Sequence, residues 1–283
     1  MANHKINIPK KTLEFLYLKK RNSPREIASL FNCDRMTVSN RLKEFRIPTR
    51  SNSESRMKYK KFDFSGDLLD KAYILGFRLG DLNVYQTSER SELIIARCNT
   101  TQSVQIRLMK RLFSKYGQVT ISKGKYSTSI NCYLNKSFIF LLPKYQKIPH
   151  WIEKDKMTGA AFIAGYTDAE GNFLLNQLRA RFKIDSYDVE ILKWIANWLK
   201  NHGIHVKFRQ IGKAGDLRRN GARFKHDIWR LNVNEAISLM RFITMIKPFS
   251  KHDTRLLHMK VCETNIQQRI ENKTIKDERN YQY

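Results

Sequence analysis

Two stretches of the sequence repeat one another: Ala72-Tyr-Ile-Leu-Gly-Phe-Arg-Leu-Gly-Asp81 and Ala161-Phe-Ile-Ala-Gly-Tyr-Thr-Asp-Ala-Glu170. Both carry small residues at every fourth position, and residues four apart lie along one ridge of an α-helix. A ridge of small side chains lets the backbone of a second helix approach closely. We therefore predict two helices that pack together through Ala72, Gly76, Gly80, Ala161, Gly165 and Ala169.

Each stretch ends on an acidic residue, Asp81 in the first and Glu170 in the second. If the two predicted helices pack in parallel, these carboxylates come together at the helix C-termini. Like charges repel there, and the helix dipole further disfavours an anion at a C-terminus. A divalent cation would relieve both penalties, and ligands that offer only oxygen atoms suit magnesium. The acid pair therefore predicts a magnesium site.

The agreement between the two copies continues downstream. Strand-like segments follow each stretch, and then an amphipathic helix, at residues 102–116 in the first copy and 188–202 in the second. More strand signal precedes Leu134-Asn135 and Val233-Asn234, which are expected to open two further apolar helices. Each half therefore reads helix, two strands, helix, two strands, helix, which predicts an α+β fold of two related half-domains.

Residues 1–50 predict a separate all-α module with three short helices. Ser23-Pro24-Arg25-Glu26 has the pattern of a helix start with a capping box, and a tight turn at residues 32–34 precedes the next helix. Two short helices joined by such a turn, the second polar and basic on its outer side, resemble the helix-turn-helix of DNA-binding proteins. A three-helix bundle with a solvated face is the alternative. The outward residues that would contact DNA are Arg35, Thr37, Ser39, Asn40, Arg41 and Lys43.

The composition favours a polyanionic partner. The chain has 283 residues, with 53 Lys and Arg against 26 Asp and Glu, and its formal net charge is +27. Nucleic acid fits this excess best, because each neutralised phosphate releases counterions. A ribosomal-type basic protein is a less specific alternative. An anionic membrane surface is the rival partner, but no apolar run is long enough to span a bilayer, so we expect no membrane partner.

The cysteines and the N-terminal residues give an expectation for the cellular location of the protein. Cys33, Cys98, Cys132 and Cys262 are widely spaced and form no CxxC pair, which argues against a cysteine zinc site. Idle thiols in a reducing cytosol are the expected state. The first residues lack the apolar stretch of a signal peptide. We expect a cytoplasmic, nucleoid-associated protein of a prokaryotic or phage-like host.

Residues Ile163-Ala-Gly-Tyr-Thr-Asp-Ala-Glu-Gly171 closely resemble the motif of LAGLIDADG homing endonucleases, and Gly76-Phe-Arg-Leu-Gly-Asp81 is similar to the divergent first copy of two-repeat, single-chain members. The resemblance implies two pseudo-symmetric αββαββα half-domains, with the motif helices between them and saddle-shaped antiparallel sheets over the DNA major groove. The expected domains are a helix-turn-helix domain at 1–50, a basic linker at 51–66, the two repeats at 67–150 and 151–262, and a polar tail at 263–283.

The resemblance also implies an activity, the hydrolysis of DNA. By alignment with the family motif, Asp81 and Glu170 are the catalytic metal ligands, for Mg²⁺ or another divalent cation such as Mn²⁺. The family places a basic residue near each site, and Lys251 is our choice; Asp168 is expected at a helix end or interface. The implied partner is double-stranded DNA with a long asymmetric target site, bound by a monomer that acts in intron homing.

The strand segments predict a basic face that would hold this DNA. Arg179, Arg181 and Lys183 alternate with apolar residues, so that the basic side chains share one face of a strand. A solvated basic face is the alternative for any single residue. The predicted DNA-contact residues of the two sheets and their loops are Arg97, Asn99, Lys123, Lys125, Arg179, Arg181, Lys183, Lys207, Arg209, Lys213, Arg218, Arg219 and Arg223.

Two other functions use the same kind of scaffold. One is a DNA-binding transcriptional regulator that has lost cleavage, and the other is a maturase that binds intron RNA. The intact acid pair favours the nuclease. Leu82 stands where the family motif usually has a glycine like Gly171, and it favours the regulator because it is expected to alter the exit from the helix. The histidines without ligand spacing, expected to be structural, are His150, His202, His226 and His252.

Overall fold

The computed structural model describes residues 7–50, 59–144, 147–217 and 221–275. The chain forms two compact units, Met1–Lys60 and Lys61–Tyr283. The boundary falls within the predicted linker at 51–66, but the last residues of that segment belong to the second unit. The Phe62 amide donates a hydrogen bond of 2.9 Å to the Tyr116 carbonyl. The Phe64 ring packs 5.4 Å from that of Phe138.

Within residues 7–50, the first unit shows three helical segments around its own apolar core. Helix α1 (Lys10–Glu14) continues as a π-helical turn (Phe15–Lys19), and α2 (Pro24–Leu30) and α3 (Arg35–Glu44) follow. The predicted capping box is present at the start of α2, where the Ser23 hydroxyl accepts from the Glu26 amide at 3.2 Å. The core residues are Ile8, Leu13, Tyr17, Ile27, Ala28, Val38, Leu42 and Ile47.

The second unit contains the two predicted half-domains. The first half consists of α4 (Leu68–Asp81), β1 (Asn83–Gln86), β2 (Ile94–Thr100), α5 (Ser103–Phe113), β3 (Gln118–Lys123), β4 (Thr128–Leu134) and a 3-10 segment (Lys136–Leu141). A short helix, α6 (His150–Glu153), leads into the second half. That half consists of α7 (Lys156–Glu170), β5 (Gly171–Asn176), β6 (Arg179–Ser186), α8 (Val189–Asn201), β7 (Lys207–Gly212), β8 (Ile228–Val233) and α9 (Ala236–Ile246), and α10 (Asp253–Glu271) follows it.

Each half forms one four-stranded antiparallel sheet, and the two sheets have the same topology. The strand orders are β1-β2-β4-β3 and β5-β6-β8-β7. The predicted α+β fold class is therefore confirmed. One prediction fails: the apolar helix expected after Leu134 is the 3-10 segment in the first half, whereas its counterpart after Val233 is the α-helix α9.

The chain beyond residue 262 does not begin a polar tail, as the sequence had suggested. Helix α10 continues to Glu271, and Ile266 is fully buried. Asn265 joins the helix to the β5–β6 hairpin, because its side-chain oxygen accepts from the Ala180 amide at 3.0 Å and its amide donates to the Leu178 carbonyl at 3.1 Å. A tail could begin only after Ile275, and residues 276–283 lie outside the described part of the chain.

Both halves bury aromatic clusters between sheet and helices. In the second half, Phe173, Phe182 and Phe242 pack with ring centroids 4.6 to 6.1 Å apart. No helix within the described ranges has the length and apolar character needed to cross a membrane.

Candidate active site and nucleic-acid interface

Helices α4 and α7 pack backbone to backbone through their glycines, as predicted. A Cβ atom added to Gly76 would collide with the Phe162 carbonyl oxygen, and one added to Gly165 would collide with the Tyr73 carbonyl oxygen. The contact is thus reciprocal. Near the helix ends, a Cβ on Gly80 would lie 3.0 Å from the Glu170 Cγ atom. The two C-termini therefore meet, and the last residues of the two helices are neighbours.

Those last residues are Asp81 and Glu170. Burial, followed by the negative charges of Asp81 and Asp188, raises the pKa of Glu170 to about 7, while the charge of Arg255 opposes the rise. Burial also raises the pKa of Asp81, and Arg255 and a hydrogen bond from Gln105 oppose it. The negative charge of Asp81 thus acts on Glu170, and the nearby positive charge only partly offsets the cost of keeping the two buried carboxylates ionised.

Asp81 has a partner that the sequence did not predict. The Gln105 side-chain amide, at the start of α5, donates a hydrogen bond to the Asp81 Oδ2 atom. Gln105 is itself buried, and its Nε2 atom also lies 3.9 Å from the Cys98 sulfur. Because a buried donor is held by its surroundings, Gln105 fixes the orientation of the Asp81 carboxylate.

The acid pair fits a divalent cation by its chemistry. Both side chains offer carboxylate oxygens, the ligands that Mg²⁺ and Mn²⁺ accept. Burial is the main cause of their raised pKa values, and a bound cation would stabilise the anionic forms that burial disfavours. No group of three or more His, Cys, Asp and Glu side chains with metal-binding geometry occurs within the described ranges. A cation here would therefore need further ligands from water or phosphate.

The prediction that Lys251 serves the acid pair is wrong in its geometry. The Lys251 Nζ atom lies 3.0 Å from the Asp70 Oδ1 atom, in the first turn of α4. Asp81 ends that helix, eleven residues later, so the two Cα atoms are about 16 Å apart at 1.5 Å per residue. Lys251 contributes its backbone instead, because its amide donates to the Asp168 Oδ2 atom at 2.6 Å.

Asp168 joins three segments of the chain, and it lies at an interface as expected. Its Oδ2 atom accepts from the Tyr73 hydroxyl at 2.7 Å, across the helix pair. It also accepts from the His252 amide at 3.0 Å, at the start of α10. Asp168 is 1% exposed, so these donors replace water. Asp168 is thus a structural carboxylate that fixes the start of α10 beside Tyr73 of α4 and the end of α7.

Leu82 does not change the way the chain leaves the helix, contrary to our expectation. Its backbone is extended, with φ −103° and ψ 134°, and Gly171 at the equivalent position has φ −73° and ψ 149°. Neither position requires glycine for its backbone angles. Gly171 is small for another reason: a Cβ there would lie 2.6 Å from the Thr167 carbonyl oxygen. Leu82 instead buries its side chain in the first half.

A cavity of about 350 Å³ opens beside Asp81. Its walls include Asn83, Lys144 and Asp188. The positive charge of Lys144 acts on Asp188, which in turn acts on Glu170. The space next to the acid pair therefore carries a basic side chain that a phosphate group could approach.

Beyond the acid pair, each sheet presents a polar row across its strands. In the first sheet the row runs Asn83, Arg97, Asn131 and Thr120, and in the second it runs Asn172, Lys183, Asn232 and Lys207. The first strand of each sheet contributes an asparagine two residues after its acidic residue. Side chains that donate and accept hydrogen bonds at the same place in both sheets suit contact with base edges.

The predicted alternation is present in β6, where Phe182 and Ile184 are buried and Arg181 and Lys183 are half-buried. Some predicted contact residues are engaged within the protein: the Arg97 Nε atom donates to the Asn131 side chain at 2.8 Å, and the Arg41 guanidinium lies 2.7 Å from the Glu44 carboxylate. Arg218 and Arg219 lie outside the described residues. The predicted contact residues that are exposed are Arg35, Asn40, Lys43, Asn99, Lys123, Lys125, Arg179, Lys207, Arg209, Lys213 and Arg223, and Thr37 and Ser39 on α3 are half-buried.

No protein-family model matches the sequence, and no curated protein matches it. Among solved structures, the fold is similar to that of I-DmoI in complex with DNA and Mn, with 20% identity over 65% of this chain and 98% of that chain and a TM-score of 0.44. It is also similar to the N-terminal LAGLIDADG domain of DUF199/WhiA, with 12% identity over 65% of this chain and 86% of that chain and a TM-score of 0.43. For full-length DUF199/WhiA from Thermatoga maritima, the identity is 14% over 74% of this chain and 63% of that chain, with a TM-score of 0.46. These likenesses concern the fold alone.

Sequence reasoning missed four side chains around the acid pair. Gln105, Lys144, Asp188 and Arg255 come from four separate segments, and none carries a motif. The one available signal was the position of Gln105 and Asp188 at the starts of the matching helices α5 and α8.

Among the histidines expected to be structural, His202 stacks on Trp198 with ring centroids 3.8 Å apart. The cysteines Cys33, Cys98, Cys132 and Cys262 are free thiols.

Proposed function

We propose that this chain is a site-specific endonuclease of double-stranded DNA, with a divalent metal ion held by Asp81 and Glu170. The observation that carries the proposal is the meeting of two incompletely compensated carboxylates at the ends of two reciprocally packed helices. The motif resemblance of residues 163–171 supports it independently. Leu82 no longer argues against cleavage, because its backbone leaves the helix as Gly171 does.

The chain's own residues would position the reacting phosphodiester. Asp81 and Glu170 belong to different halves, so each would serve one DNA strand. A divalent cation bound there, Mg²⁺ or Mn²⁺, would polarise the phosphoryl oxygen and activate water. Gln105 keeps the Asp81 carboxylate oriented, and Lys144 gives the neighbouring cavity a positive charge for the phosphate.

Binding would rest on the two polar sheet faces, with the first unit as an additional DNA-binding module. The halves differ in the residues of the row, Arg97 and Thr120 against Lys183 and Lys207, so the preferred site would be long and asymmetric. One chain carries both halves and both acids, which supports a monomer as the acting form. We further propose that α3 docks in a major groove as a recognition helix. The proposed location is the cytoplasm, at the nucleoid.

The test is cleavage selection on a randomised or genomic DNA library in the presence of Mg²⁺. The purified chain is expected to cut a defined subset of sites. Asp81→Asn and Glu170→Gln should each lower the cleavage rate about a thousandfold or more, since several kcal/mol of transition-state stabilisation depend on the metal. Glu92→Gln, an exposed acid-to-amide change that breaks a 3.9 Å pair with Lys136, is the matched control. Unchanged cutting by both acid variants would refute the assignment.

A non-cleaving DNA-binding regulator is the second candidate. The observation in its favour is Arg255, whose fixed positive charge acts on both carboxylates without any metal ion. A regulator would retain a specific subset of the library and leave it intact, and its selected sites would be the same for the wild type and the acid variants. The same selection therefore separates the two functions.

A further inference from the structure

A second polar row crosses the sheet of the second half, beside the row that contains Lys183. Asp185 on β6 lies opposite Arg230 on β8, and Arg230 lies opposite Arg209 on β7. Asp185 and Arg230 are half-buried and Arg209 is exposed, so the row lies on the solvent face of the sheet. The last residue of β6 that pairs with β5 is Ile184, opposite Gly171. Asp185 therefore lies at the end of the sheet where α7 ends and β5 begins.

The Arg230 guanidinium is bound along one edge by Asp185. Its Nε atom donates to the Asp185 Oδ1 atom at 2.5 Å, and its Nη2 atom donates to the Oδ2 atom at 2.6 Å. The Lys183 amino group lies 3.9 Å from the same carboxylate. Two parallel charge-assisted hydrogen bonds fix the plane of a guanidinium. Within the described ranges the Nη1 atom makes no hydrogen bond, and the Arg230 side chain is 26% exposed. The outer edge, formed by Nη1 and Nη2, is therefore held in one orientation.

Arg230 lines an open groove of about 1110 Å³ together with Tyr187, Arg209 and Lys213. In the major groove a guanine presents two neighbouring acceptors, N7 and O6, which match two nitrogen atoms of a guanidinium, and the other three bases do not offer this pair. A carboxylate on the opposite edge keeps the guanidinium from turning to a phosphate. The arrangement therefore fits the reading of a base better than contact with the DNA backbone.

The first half carries a neutral pair at the equivalent place. By strand register, Asn99 on β2 and Ser129 on β4 correspond to Asp185 and Arg230. The Ser129 hydroxyl donates to the Asn99 Oδ1 atom at 2.6 Å. A hydroxyl both donates and accepts a hydrogen bond, so it does not select guanine as an arginine does. The two sheets therefore present different chemistry at the same place.

We propose that Arg230 reads one guanine through its outer edge, and that Asp185 is the positioning residue that holds this edge towards the DNA. The preferred DNA then carries a guanine under the second sheet and has no matching guanine preference at the equivalent place under the first. The inference deepens the proposed function, and it rests on the proposed DNA binding and not on cleavage.

The first test is the selection of bound duplexes from a randomised library by the full-length chain in EDTA, where metal-dependent cleavage cannot compete. The wild type is expected to enrich guanine at one position. Arg230→Gln should lower that preference about tenfold or more and leave the other positions unchanged, because one bidentate contact is lost. Asp185→Asn should lower it at the same position to a smaller extent. Arg209→Gln, at the exposed arginine of the same row, is the matched control and should weaken binding to all sequences alike.

The second test moves the pair to the other half. Asn99→Asp/Ser129→Arg places the same two side chains at the equivalent register of the first sheet. This variant should gain a guanine preference at the equivalent position of the other half-site. An unchanged base profile in this variant would contradict the proposal, and so would a wild-type profile in Arg230→Gln. The native pair is untouched in the transfer variant, so its result stands even where Arg230→Gln loses stability.

A modified base provides the third readout. Replacing the selected guanine with 7-deazaguanine removes the N7 acceptor, and it should weaken binding by the wild type about fivefold or more and binding by Arg230→Gln less than about twofold. Equal weakening of both would overturn the proposal. Selective binding without cleavage in Mg²⁺ would remove the proposed endonuclease activity alone, whereas cleavage by the wild type with an unchanged guanine preference in Arg230→Gln would remove the role of Arg230 alone.

Discussion

At the scale of single residues, the two acids of the junction have unequal surroundings. Gln105 is the third residue of α5 and hydrogen bonds to Asp81, whereas the third residue of the matching helix α8 is Ile191. An isoleucine cannot donate a hydrogen bond to Glu170. The pseudo-symmetry of the backbone is therefore broken by the side chains that orient the two carboxylates.

Gln105→Leu removes the donor to Asp81 and keeps the side-chain size. We expect this variant to nick the strand served by Asp81 about 10- to 100-fold more slowly, the usual effect of losing a group that orients a metal ligand. Cutting of the other strand should be less affected, so nicked product should accumulate on a supercoiled plasmid. Gln268→Leu on the exposed side of α10 is the control, and equal slowing of both strands would contradict the prediction.

His252 should make stability depend on pH. Burial, followed by the charge of Arg255, lowers its pKa from 6.5 to about 4. Its stabilising contribution is complete above the unfolded pKa of 6.5 and is lost as the pH falls towards 4. The full difference corresponds to about 3 kcal/mol. His252→Asn should flatten the fall in unfolding free energy between pH 6.5 and 4 measured by urea denaturation.

The control for this effect is His205→Asn, since His205 has an 82% exposed side chain. That variant should keep the pH dependence of the wild type. A slope that persists unchanged in His252→Asn would assign the acid sensitivity to other groups.

The sequence predicted that the two acids would lie together, but it did not predict which basic side chains lie near them. Asp81 and Glu170 end two repeated helices with small residues at every fourth position, so their meeting follows once these helices pack in parallel. Lys251 and Arg255 lie one turn apart on a junction where no repeat fixes the direction of a side chain. The Lys251 amino group pairs with Asp70, whereas the charge of Arg255, four residues later, acts on the acid pair.

At the scale of secondary-structure elements, the close packing of α4 against α7 depends on two glycines. Gly76→Ala and Gly165→Ala each place a methyl group against a carbonyl oxygen of the other helix, and backbone atoms can yield only by separating the helices. We expect each variant to lose about 3 kcal/mol of unfolding free energy, at the upper end for an overpacked core. Separation would also part Asp81 from Glu170 and abolish cleavage.

Gly124→Ala in the β3–β4 hairpin is the matched control. A Cβ there would come no nearer than 3.0 Å to another heavy atom, the Ser127 carbonyl oxygen. Its unfolding free energy in urea should stay close to that of the wild type. Equal stability of all three variants would mean that the helices are not in contact as described.

The elements themselves were predicted where the apolar pattern is dense and missed where it is sparse. Helices α5 and α8 begin and end within three residues of the predicted ranges, because each has a continuous apolar face. Helix α10 buries only Met259, Cys262 and Ile266 along 19 residues, which is too thin a pattern to distinguish from a polar tail. Asn265 holds the helix to the β5–β6 hairpin, but its partners Ala180 and Leu178 are distant in sequence, so the pattern of the helix could not show these contacts.

At the scale of the whole molecule, the net charge of +27 should appear as a strong salt dependence of DNA binding. Lys207 and Arg209 lie exposed on β7, on the face proposed to bind DNA. Replacing both with glutamine should reduce the slope of log K against log salt concentration by about two, one for each lost phosphate contact. Fluorescence anisotropy with an unrelated duplex measures this.

The control removes the same charge from another surface. Lys193 and Lys200 are exposed on α8, and Lys193 already lies 2.8 Å from Glu190. Replacing both with glutamine should leave the slope unchanged. If the two double variants behave alike, DNA binding follows total charge and the sheet face has no special role.

The reciprocal glycine contact constrains how this protein can change over generations. A bulkier residue at Gly76 cannot be accommodated by its own helix, because the atoms in its way belong to Phe162 on the other. A larger residue in the contact between α4 and α7 is therefore tolerated only together with a compensating change on the other helix. The strand faces carry no such constraint, so their side chains can diverge between the two halves while the residues of the helix contact must stay matched.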